Sequence, residues 1–350
     1  MNILIIGGGL SGICLGHTFQ DKNIEFKILD AGVNHSSKIA AGMINPMVFR
    51  KMVKTWKGDE LIPFLNDFYP AIEKKIGAKF FFPRKIRRVF STIEEKNNWD
   101  KRLNDEEYQD YVHPYEDSEP TPEYAINEFG SGWVKSPGYI DAKIFVRENQ
   151  RYFIDQNLMI TESFGFEKFD PDNGSYNGEK YTHFVFSEGY QAIKNPYFNY
   201  LPFVLTKGEV LSIRNDEIRR NEILNRKCFV LPAQDGTFKL GATFEWNTTD
   251  TSPSEGAKEQ LLTQYSKLTT TPATVVDQEA GIRPTVADRR PLIGVHPVKE
   301  NLYIFNGMGT KGYMLAPYFA DEFYRYLVDD APLNSEVDIK RFFRKHFKTI

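Results

Sequence analysis

The first thirty residues constrain the fold more than any other part of the chain. Asn2–Ile6 is short and continuously apolar, which predicts a buried strand of a parallel sheet. It runs directly into Gly7–Gly12, whose spacing is G-x-G-x-x-G. Apolar residues at helical spacing follow to about Gln20, and Glu25–Leu29 predicts a second strand that ends at Asp30. This order of strand, glycine turn, helix, strand and acid predicts a βαβ nucleotide-binding unit.

Each part of this unit has a physical task. Gly7 allows a tight turn, Gly9 leaves room for a pyrophosphate, and Gly12 lets the helix pack closely on the strand. The start of the helix offers free N–H groups and the positive end of the helix dipole to phosphates. Asp30 lies 18 residues beyond Gly12, where a carboxylate can bind ribose hydroxyls. An acid there argues against a 2′-phosphate, so the unit predicts NAD or FAD rather than NADP.

Three later motifs extend this interpretation. Ser36–Pro46 contains an A-A-G-M turn, Gly281–Pro284 reads G-I-R-P and is followed by Asp288 and P-L-I-G, and Gly307–Gly312 is glycine-rich. Together with the first unit, these motifs resemble the D-amino-acid oxidase superfamily of FAD-dependent oxidoreductases, in its glycine-oxidase and sarcosine-oxidase-like branch. The recognisable blocks are residues 1–46, 203–246 and 278–320. The remainder matches only in the general pattern of its segments.

The resemblance implies a mixed α/β fold, α+β in part. A Rossmann-like FAD-binding domain would carry a discontinuous substrate domain built on an antiparallel sheet. The FAD-binding domain would comprise residues 1–75, 137–200 and 285–350, and the substrate domain residues 76–136 and 201–284.

The second G-x-G-x-x-G, at Gly307–Gly312, has two readings. It suggests a second nucleotide domain, yet only about 38 residues follow Gly312 and no second strand ending in an acid is present. In the family this loop lies against the pyrimidine side of the flavin, where N–H groups at a helix start stabilise negative charge on the ring. We therefore expect no NAD(P)H domain.

The resemblance also implies that FAD is bound without a covalent bond. Sarcosine-oxidase relatives tether the flavin through a cysteine, and this chain has Gly281 at the matching place. The residues expected to contact FAD are Gly7, Gly9, Leu10, Ser11, Gly12, Asp30, Ala31, Ser37, Ala40, Ala41, Gly42, Met43, Gly189, Gly307, Gly309, Thr310, Lys311, Gly312 and Tyr313.

Two residues are expected to carry the chemistry. Family members place an arginine at the position of Arg283, where its guanidinium forks onto the substrate carboxylate. The alternative for Arg283 is a salt bridge to Asp288. Lys311 would stabilise negative charge or assist oxygen, unless it faces solvent. Three aromatic residues are further candidates for the cavity wall: Tyr190, Tyr303 and Tyr313.

Two departures from the family concern the substrate. Glycine oxidases use an aromatic hydroxyl and an arginine to hold the amino acid, and the matching positions here are Phe229 and Thr310. The carboxylate would then be held mainly by Arg283, which weakens the case for glycine itself. A larger or secondary amine becomes the expected substrate.

The sequence thus predicts an FAD-dependent oxidoreductase that oxidises the C–N bond of a small amine or amino acid by hydride transfer to flavin N5. The flavin performs the hard chemistry, and the protein supplies position and charge. Two other classes stay open. One is a flavin enzyme that acts on the side chain of a tRNA wobble uridine, and the other is a flavoprotein without enzymatic activity.

Charge and composition exclude several classes. A formal net charge of −3 argues against nucleic-acid binding through bulk charge. Two cysteines exclude a disulfide scaffold, and the six histidines show no ligand spacing, so no metal is expected. The sequence has no run of 18 apolar residues, so no membrane span is expected. No signal peptide is recognisable, so the protein is expected in the cytoplasm. Arg84–Arg88 is predicted as an exposed strand edge and Lys340–Lys345 as a terminal helix, both facing solvent.

Two helix predictions rest on local signals. Asp59–Gly77 reads as a helix capped by Asp59 and ended by Gly77, with a kink or break at Pro70. Asp141 is predicted to cap a second helix that runs to Phe153.

Overall fold

A computed structural model describes residues 1–33, 36–113, 121–135 and 138–347. The described α-helices are α1 (Leu10–Asp21), α2 (Ser36–Ile39), α3 (Gly58–Ile76), α4 (Ile93–Leu103), α5 (Ala142–Asp155), α6 (Glu255–Tyr265), α7 (Gly312–Val328) and α8 (Phe343–His346). The described strands are β1 (Asn2–Ile6), β2 (Glu25–Asp30), β3 (Met43–Ile44), β4 (Met47–Val48), β5 (Val53–Lys54), β6 (Phe81–Phe82), β7 (Lys85–Val89), β8 (Val112–His113), β9 (Ser131–Val134), β10 (Gly138–Ile140), β11 (Met159–Thr161), β12 (Phe169–Asp170), β13 (Ser175–Tyr176), β14 (Glu179–Lys180), β15 (His183–Phe186), β16 (Thr206–Arg214), β17 (Glu222–Asn225), β18 (Phe229–Pro232), β19 (Phe238–Gly241), β20 (Glu245–Trp246), β21 (Thr274–Arg283), β22 (Leu292–Val295) and β23 (Leu302–Asn306).

The N-terminal βαβ unit lies at the centre of a six-stranded sheet. The strand order is β11-β2-β1-β15-β23-β22, and only β22 runs antiparallel to its neighbour. Alternate residues of β1 pack on opposite faces: Ile3 and Ile5 belong to the apolar cluster that includes residues of α1, α3, α5 and α7, whereas Leu4 and Ile6 belong to a second cluster. Burial on both faces explains why this strand is continuously apolar. The chain thus combines a mostly parallel sheet with packed helices, which is the predicted mixed α/β fold.

A nine-stranded sheet forms the second layer. Its order is β20-β16-β19-β18-β17-β7-β9-β8, and nine residues of β21 pair with β16. The pairs are antiparallel except for β17 with β7, which run parallel. The predicted antiparallel substrate sheet therefore contains one parallel pair. The predicted division into two discontinuous domains stays a prediction, and its boundary at 136 and 137 lies outside the described residues.

The basic segment Arg84–Arg88 is not an exposed edge. It forms β7, which lies between β17 and β9 in the interior of the large sheet. Arg87 is 1% exposed and its Nε lies 3.1 Å from Glu222 Oε2. Arg88 is also buried and pairs with Glu95. Each guanidinium is thus matched by a carboxylate inside the protein, so the expectation of a solvated face was wrong.

The helix signals were partly correct. Helix α3 begins at Gly58 and follows Lys57 in a left-handed conformation, so Asp59 is not its cap. The Asp59 carboxylate instead accepts hydrogen bonds from Lys54 Nζ and Tyr111 Oη, each at 2.5 Å. Gly77 ends the helix with φ 69°, as predicted, and Pro70 does not interrupt it. Asp141 caps α5, because its side chain accepts from the Ile144 N–H at 3.1 Å.

The C-terminal basic segment forms a short 3₁₀ turn, Ile339–Phe342, followed by α8. Arg341 in that turn pairs with Asp288 at 2.9 Å. Among the described helices, none is long and apolar enough to cross a membrane.

Candidate functional site

A cavity of about 920 Å³ lies where the carboxyl ends of the parallel strands meet one face of the large sheet. Its volume is at the upper end of the range for ligand sites, roughly 300–1,000 Å³. The predicted residues that line it are Gly7, Gly9, Leu10, Ser11, Asp30, Ala31, Ser37, Ala40, Ala41, Gly42, Met43, Gly189, Arg283, Gly309, Thr310, Lys311, Gly312 and Tyr313.

Two predicted cofactor residues, Gly12 and Gly307, do not line the cavity. A Cβ on Gly12 would lie 1.9 Å from the carbonyl oxygen of Gly7, so this glycine lets α1 pack against the turn. Gly307 has φ 73°, and a Cβ there would lie 2.8 Å from Val286. Both positions require glycine for backbone packing, which is the task predicted for Gly12.

The start of α1 is arranged to bind an anion. Gly9 precedes the helix without any side-chain cap, and the first turn contains no acid. Leu10 N–H donates to Ser37 Oγ at 3.0 Å, which ties the A-A-G-M segment to the helix start. Gly9, Leu10 and Ser11 line the cavity, so the positive end of the helix dipole borders it, which suits a pyrophosphate.

Asp30 is fixed at the mouth of the glycine turn. Its carboxylate is buried and accepts the Gly8 N–H at 2.6 Å and the Gly32 N–H at 2.8 Å. Each carboxylate oxygen has a second lone pair, so the group can also accept from ribose hydroxyls.

Two further residues complete this end of the cavity. Ser187 Oγ is fully buried, lines the cavity and has no hydrogen-bond partner among the described residues. Glu188 accepts from Asn195 Nδ2 at 2.7 Å, and burial raises the pKa of its carboxyl to about 7. A partnerless buried hydroxyl indicates a ligand group that completes it. The glycine turn, Asp30 and Ser187 therefore fit the nucleotide part of FAD.

Arg283, the last residue of β21, lines the cavity on the side of the large sheet. Its Nη1 donates to the carbonyl oxygens of Lys207 and Thr243, each at 3.3 Å, and its guanidinium lies 4.6 Å from the centre of the Phe244 ring. Burial lowers the pKa of the guanidinium to about 10. No described carboxylate pairs with it, and Asp288 pairs with Arg341 instead. The alternative of an Arg283–Asp288 bridge is therefore not realised.

Gly208 makes the position of Arg283 possible. A Cβ on Gly208 would lie 1.9 Å from Arg283 Nη2, so any side chain there would displace the guanidinium. Gly208 pairs directly with Gly281 of β21, which keeps this stretch of the sheet open.

Lys311 lies in the turn that precedes α7. Its Nζ donates to the Asn45 carbonyl at 3.1 Å and to Thr55 Oγ1 at 2.5 Å. Burial lowers the pKa of this ammonium to about 8. Lys311 is thus a sequestered cation beside the cavity and not a solvent-facing lysine.

The predicted wall residues separate into two groups. Tyr190, Phe229 and Thr310 line the cavity, as does Tyr313, whose hydroxyl donates to the Ser37 carbonyl at 2.8 Å. Tyr303 lies elsewhere, with its ring 5.2 Å from that of His183.

Sequence reasoning missed several lining residues, among them Asn225, Lys227, Cys228 and Phe244. None belongs to a motif. Their places depend on which strands pair across the large sheet, and the only local signal was the turn between two apolar strands at 226–228.

The charges of the cavity are segregated. Its lining carboxyl groups are Asp30, the last residue of β2, and Glu188, which follows β15. Its lining cations are Arg283, Lys227 and Lys311, which lie toward the large sheet and α7. The end near the large sheet therefore favours an anionic group on a bound molecule.

Comparison with known proteins shows the family to which the chain belongs. The family model described as FAD dependent oxidoreductase, DAO, matches residues 2–324. The glycine oxidase of Bacillus licheniformis is 33% identical over 118 residues, which cover 33% of this chain and 32% of that protein. The match thus spans about a third of the length of this curated relative.

Two other comparisons extend over most of the chain. The tRNA 5-methylaminomethyl-2-thiouridine biosynthesis bifunctional protein MnmC of Idiomarina loihiensis is 18% identical over 341 residues, covering 91% of this chain and 54% of that protein. The crystal structure of glycine oxidase from Bacillus cereus superposes with a TM-score of 0.79 at 17% identity, covering 95% of this chain and 96% of that one. At this identity the superposition shows the shared fold alone.

Proposed function

This chain belongs to the DAO family of FAD-dependent oxidoreductases, and from that premise we propose that it oxidises the C–N bond of a small amine or amino acid. The observation that carries the proposal is the Arg283 guanidinium, which lines the cavity without a carboxylate partner among the described residues. A buried cation without a counter-ion is costly unless a ligand supplies the anion.

Arg283 would anchor the substrate carboxylate. Its Nη1 is occupied by two backbone carbonyls, so the rest of the planar fork is left for the substrate. The Phe244 ring and the carbonyls fix the plane of the guanidinium. A fixed guanidinium orients the substrate carboxylate as well as binding it. Bound FAD supplies the chemistry by accepting the hydride.

The remaining groups suit an amine that arrives neutral. No described carboxylate lines the cavity near Arg283, so nothing there stabilises a protonated amine. Lys311 would place a positive charge beside the flavin, since its Nζ is held by Asn45 and Thr55. That charge would stabilise negative charge on the ring.

The test is anaerobic flavin reduction by a panel of glycine, sarcosine, longer N-alkylglycines, D-amino acids and L-proline. For the best substrate, Arg283→Lys and Arg283→Ala should each lower the efficiency of reduction by roughly 30- to 5,000-fold, because one partner of a desolvated charge pair is lost. Lysine keeps the charge but loses the fork, so it should not rescue.

Gly208→Ala tests the same assignment without touching the arginine. It should displace the guanidinium and lower the efficiency, whereas Gly256→Ala, in open space on α6, should not. FAD content is the folding control. Wild-type rates in all three of Arg283→Lys, Arg283→Ala and Gly208→Ala would contradict the proposal.

A second candidate is oxidation of a tRNA wobble-uridine side chain, favoured by the match to the tRNA-modifying protein over 91% of this chain. Reduction of the flavin by tRNA that carries carboxymethylaminomethyluridine, with no reduction by any free amine, would select it.

A further inference from the structure

We propose that Asn225 and Lys227 form a second polar subsite that binds a distal carboxylate, so that the preferred substrate is an N-substituted glycine with two acidic groups. The inference rests on the proposed function, because it takes Arg283 as the anchor of the first carboxylate.

The first step is a row of residues that crosses the large sheet. Val210 of β16 pairs with Gly241, Gly241 with Phe229, and Phe229 with Asn225 of β17. Directly paired residues project from the same face of a sheet. All four line the cavity, so this row is the floor on which a substrate lies.

The second step is the orientation of the Asn225 amide. Asn225 is buried, and its Oδ1 accepts from Arg88 Nη1 at 2.5 Å. A guanidinium only donates, so the amide oxygen must face Arg88 and the amide N–H groups must face away from it. No described acceptor receives those N–H groups, and Asn225 lines the cavity.

Arg88 is itself held from two further sides. Its Nε donates to Glu95 Oε1 at 2.6 Å, and its Nη1 also donates to the Arg226 carbonyl. The guanidinium lies 4.8 Å from the centre of the Phe49 ring, which lines the cavity. The donor on Asn225 is therefore preorganised by a buried network.

The third step is the charge beside this donor. Lys227 lies two residues beyond Asn225, in the turn between β17 and β18, and its exposed side chain lines the cavity. No described carboxylate pairs with it. The lining carboxyl groups, Asp30 and Glu188, belong to the nucleotide end. A neutral donor and a free ammonium on one hairpin select an anionic acceptor such as a carboxylate.

The fourth step is the separation of the two anchors. The Arg283 guanidinium lies over Gly208 of β16, and Asn225 lies on β17, three strands further along the sheet. At about 4.8 Å per strand, this separation is roughly 14 Å between backbones. The Phe229 ring lies between them, over Gly241, so the connecting part of the substrate is apolar. An alkyl chain with a carboxylate at each end fits the two anchors and the apolar ring between them.

The experiment compares two matched amines on the FAD-loaded protein. N-(5-carboxypentyl)glycine carries the distal carboxylate, and N-hexylglycine replaces it with a methyl group. The efficiency of anaerobic flavin reduction should be at least tenfold higher for the diacid. Iminodiacetate, whose carboxylates are too close to span the anchors, should gain less over N-ethylglycine.

Two variants locate the subsite. Lys227→Met should lower the ratio of the diacid to the monoacid efficiency, and so should Asn225→Asp, which keeps an acceptor for Arg88 but replaces the amide donor with a negative charge. Lys267→Met, at an exposed lysine in the turn after α6 that does not line the cavity, should leave the ratio unchanged. FAD content and the dissociation constant of the diacid, read from flavin absorbance, accompany each rate.

The outcomes separate the two proposals. If no amine of the earlier panel and neither matched amine perturbs or reduces the flavin, the proposed function fails and the second subsite fails with it. If an amine of the panel reduces the flavin but neither matched amine does, only the second subsite is overturned. If N-hexylglycine reduces the flavin but the diacid is not preferred, or if both variants retain the preference, only the second subsite is overturned.

Discussion

At the scale of single residues, Asp30 combines two tasks that the sequence motif does not separate. Its carboxylate holds the Gly8 and Gly32 N–H groups, and it also borders the cavity where ribose hydroxyls are expected. Charged hydrogen bonds are worth about 1.5–3 kcal/mol each. Asp30→Ala should therefore weaken FAD binding by roughly tenfold or more.

The measurement for Asp30→Ala is a titration of the apoprotein with FAD, followed by flavin fluorescence. Far-UV circular dichroism of the apoprotein controls for loss of the turn. A dissociation constant equal to that of the wild type would show that Asp30 does not bind the ribose.

The sequence predicted a position at the cavity where a motif imposes its own local geometry, while the roles of these residues stay predictions. Gly9, Asp30 and Arg283 border the cavity because a glycine turn and a G-x-R-P strand end impose the same local geometry in any sheet. Asn225 was not predictable, because its donor is oriented by Arg88, which is 137 residues away in the chain.

At the scale of elements, helices α1 and α5 share a buried polar contact. His17 on α1 lies with its Nε2 2.5 Å from Asn149 Oδ1, and Asn149 Nδ2 donates to the Phe145 carbonyl at 2.7 Å. The Asn149 oxygen must accept, so His17 Nε2 carries a proton. Burial lowers the pKa of His17 from 6.5 to about 3.

This lowered pKa makes the contact sensitive to acid. Between pH 6.5 and about 3 the unfolded chain binds a proton at His17 and the folded protein does not. Stability is then complete above pH 6.5 and falls with decreasing pH, by at most about 1.4 kcal/mol per pH unit for one group. The variant His17→Gln should lose stability less steeply with acid than the wild type.

The check is the free energy of unfolding in urea at pH 7, 6 and 5 for both proteins. His296, whose pKa is lowered to about 4, contributes to the same slope, and Glu188, whose pKa is raised to about 7, opposes it. Both are present in wild type and variant, so the difference between the two slopes isolates His17. Parallel curves would contradict the assignment.

Element-level prediction was limited by tertiary pairing. The alternation in Arg84–Arg88 correctly indicates a strand. It cannot reveal that Arg87 and Arg88 pair with carboxylates inside the protein. The capping signal of Asp59 was overridden, because Lys54 and Tyr111 engage its carboxylate. Asp141 has no such competitor among the described residues and caps its helix.

At the scale of the whole molecule, the cavity joins the two sheets. Its walls come from the first turn of α1 and the ends of the parallel strands on one side, and from β16, β18, β19 and β21 on the other. The βαβ motif predicts the first wall by itself. The second wall requires the order β21-β16-β19-β18-β17, and sequence patterns do not specify which strands are neighbours across long connections.

A ligand that fills such a cavity should stabilise both layers and yet remain removable. Cys228 lines the cavity, but burial raises the pKa of its thiol to about 12, so it stays protonated and unreactive near neutral pH. Acid precipitation should therefore leave the yellow colour in the supernatant, whereas colour in the pellet would reveal a covalent flavin.

Excess FAD at about 100 times its dissociation constant should add about 2.7 kcal/mol of stability to the apoprotein. At about 2–4 °C per kcal/mol, that raises the Tm by roughly 5–10 °C. The Asp30→Ala protein should show a smaller increase in Tm at the same FAD concentration. Equal increases in the two proteins would mean that FAD stabilises the fold without using the nucleotide end of the cavity.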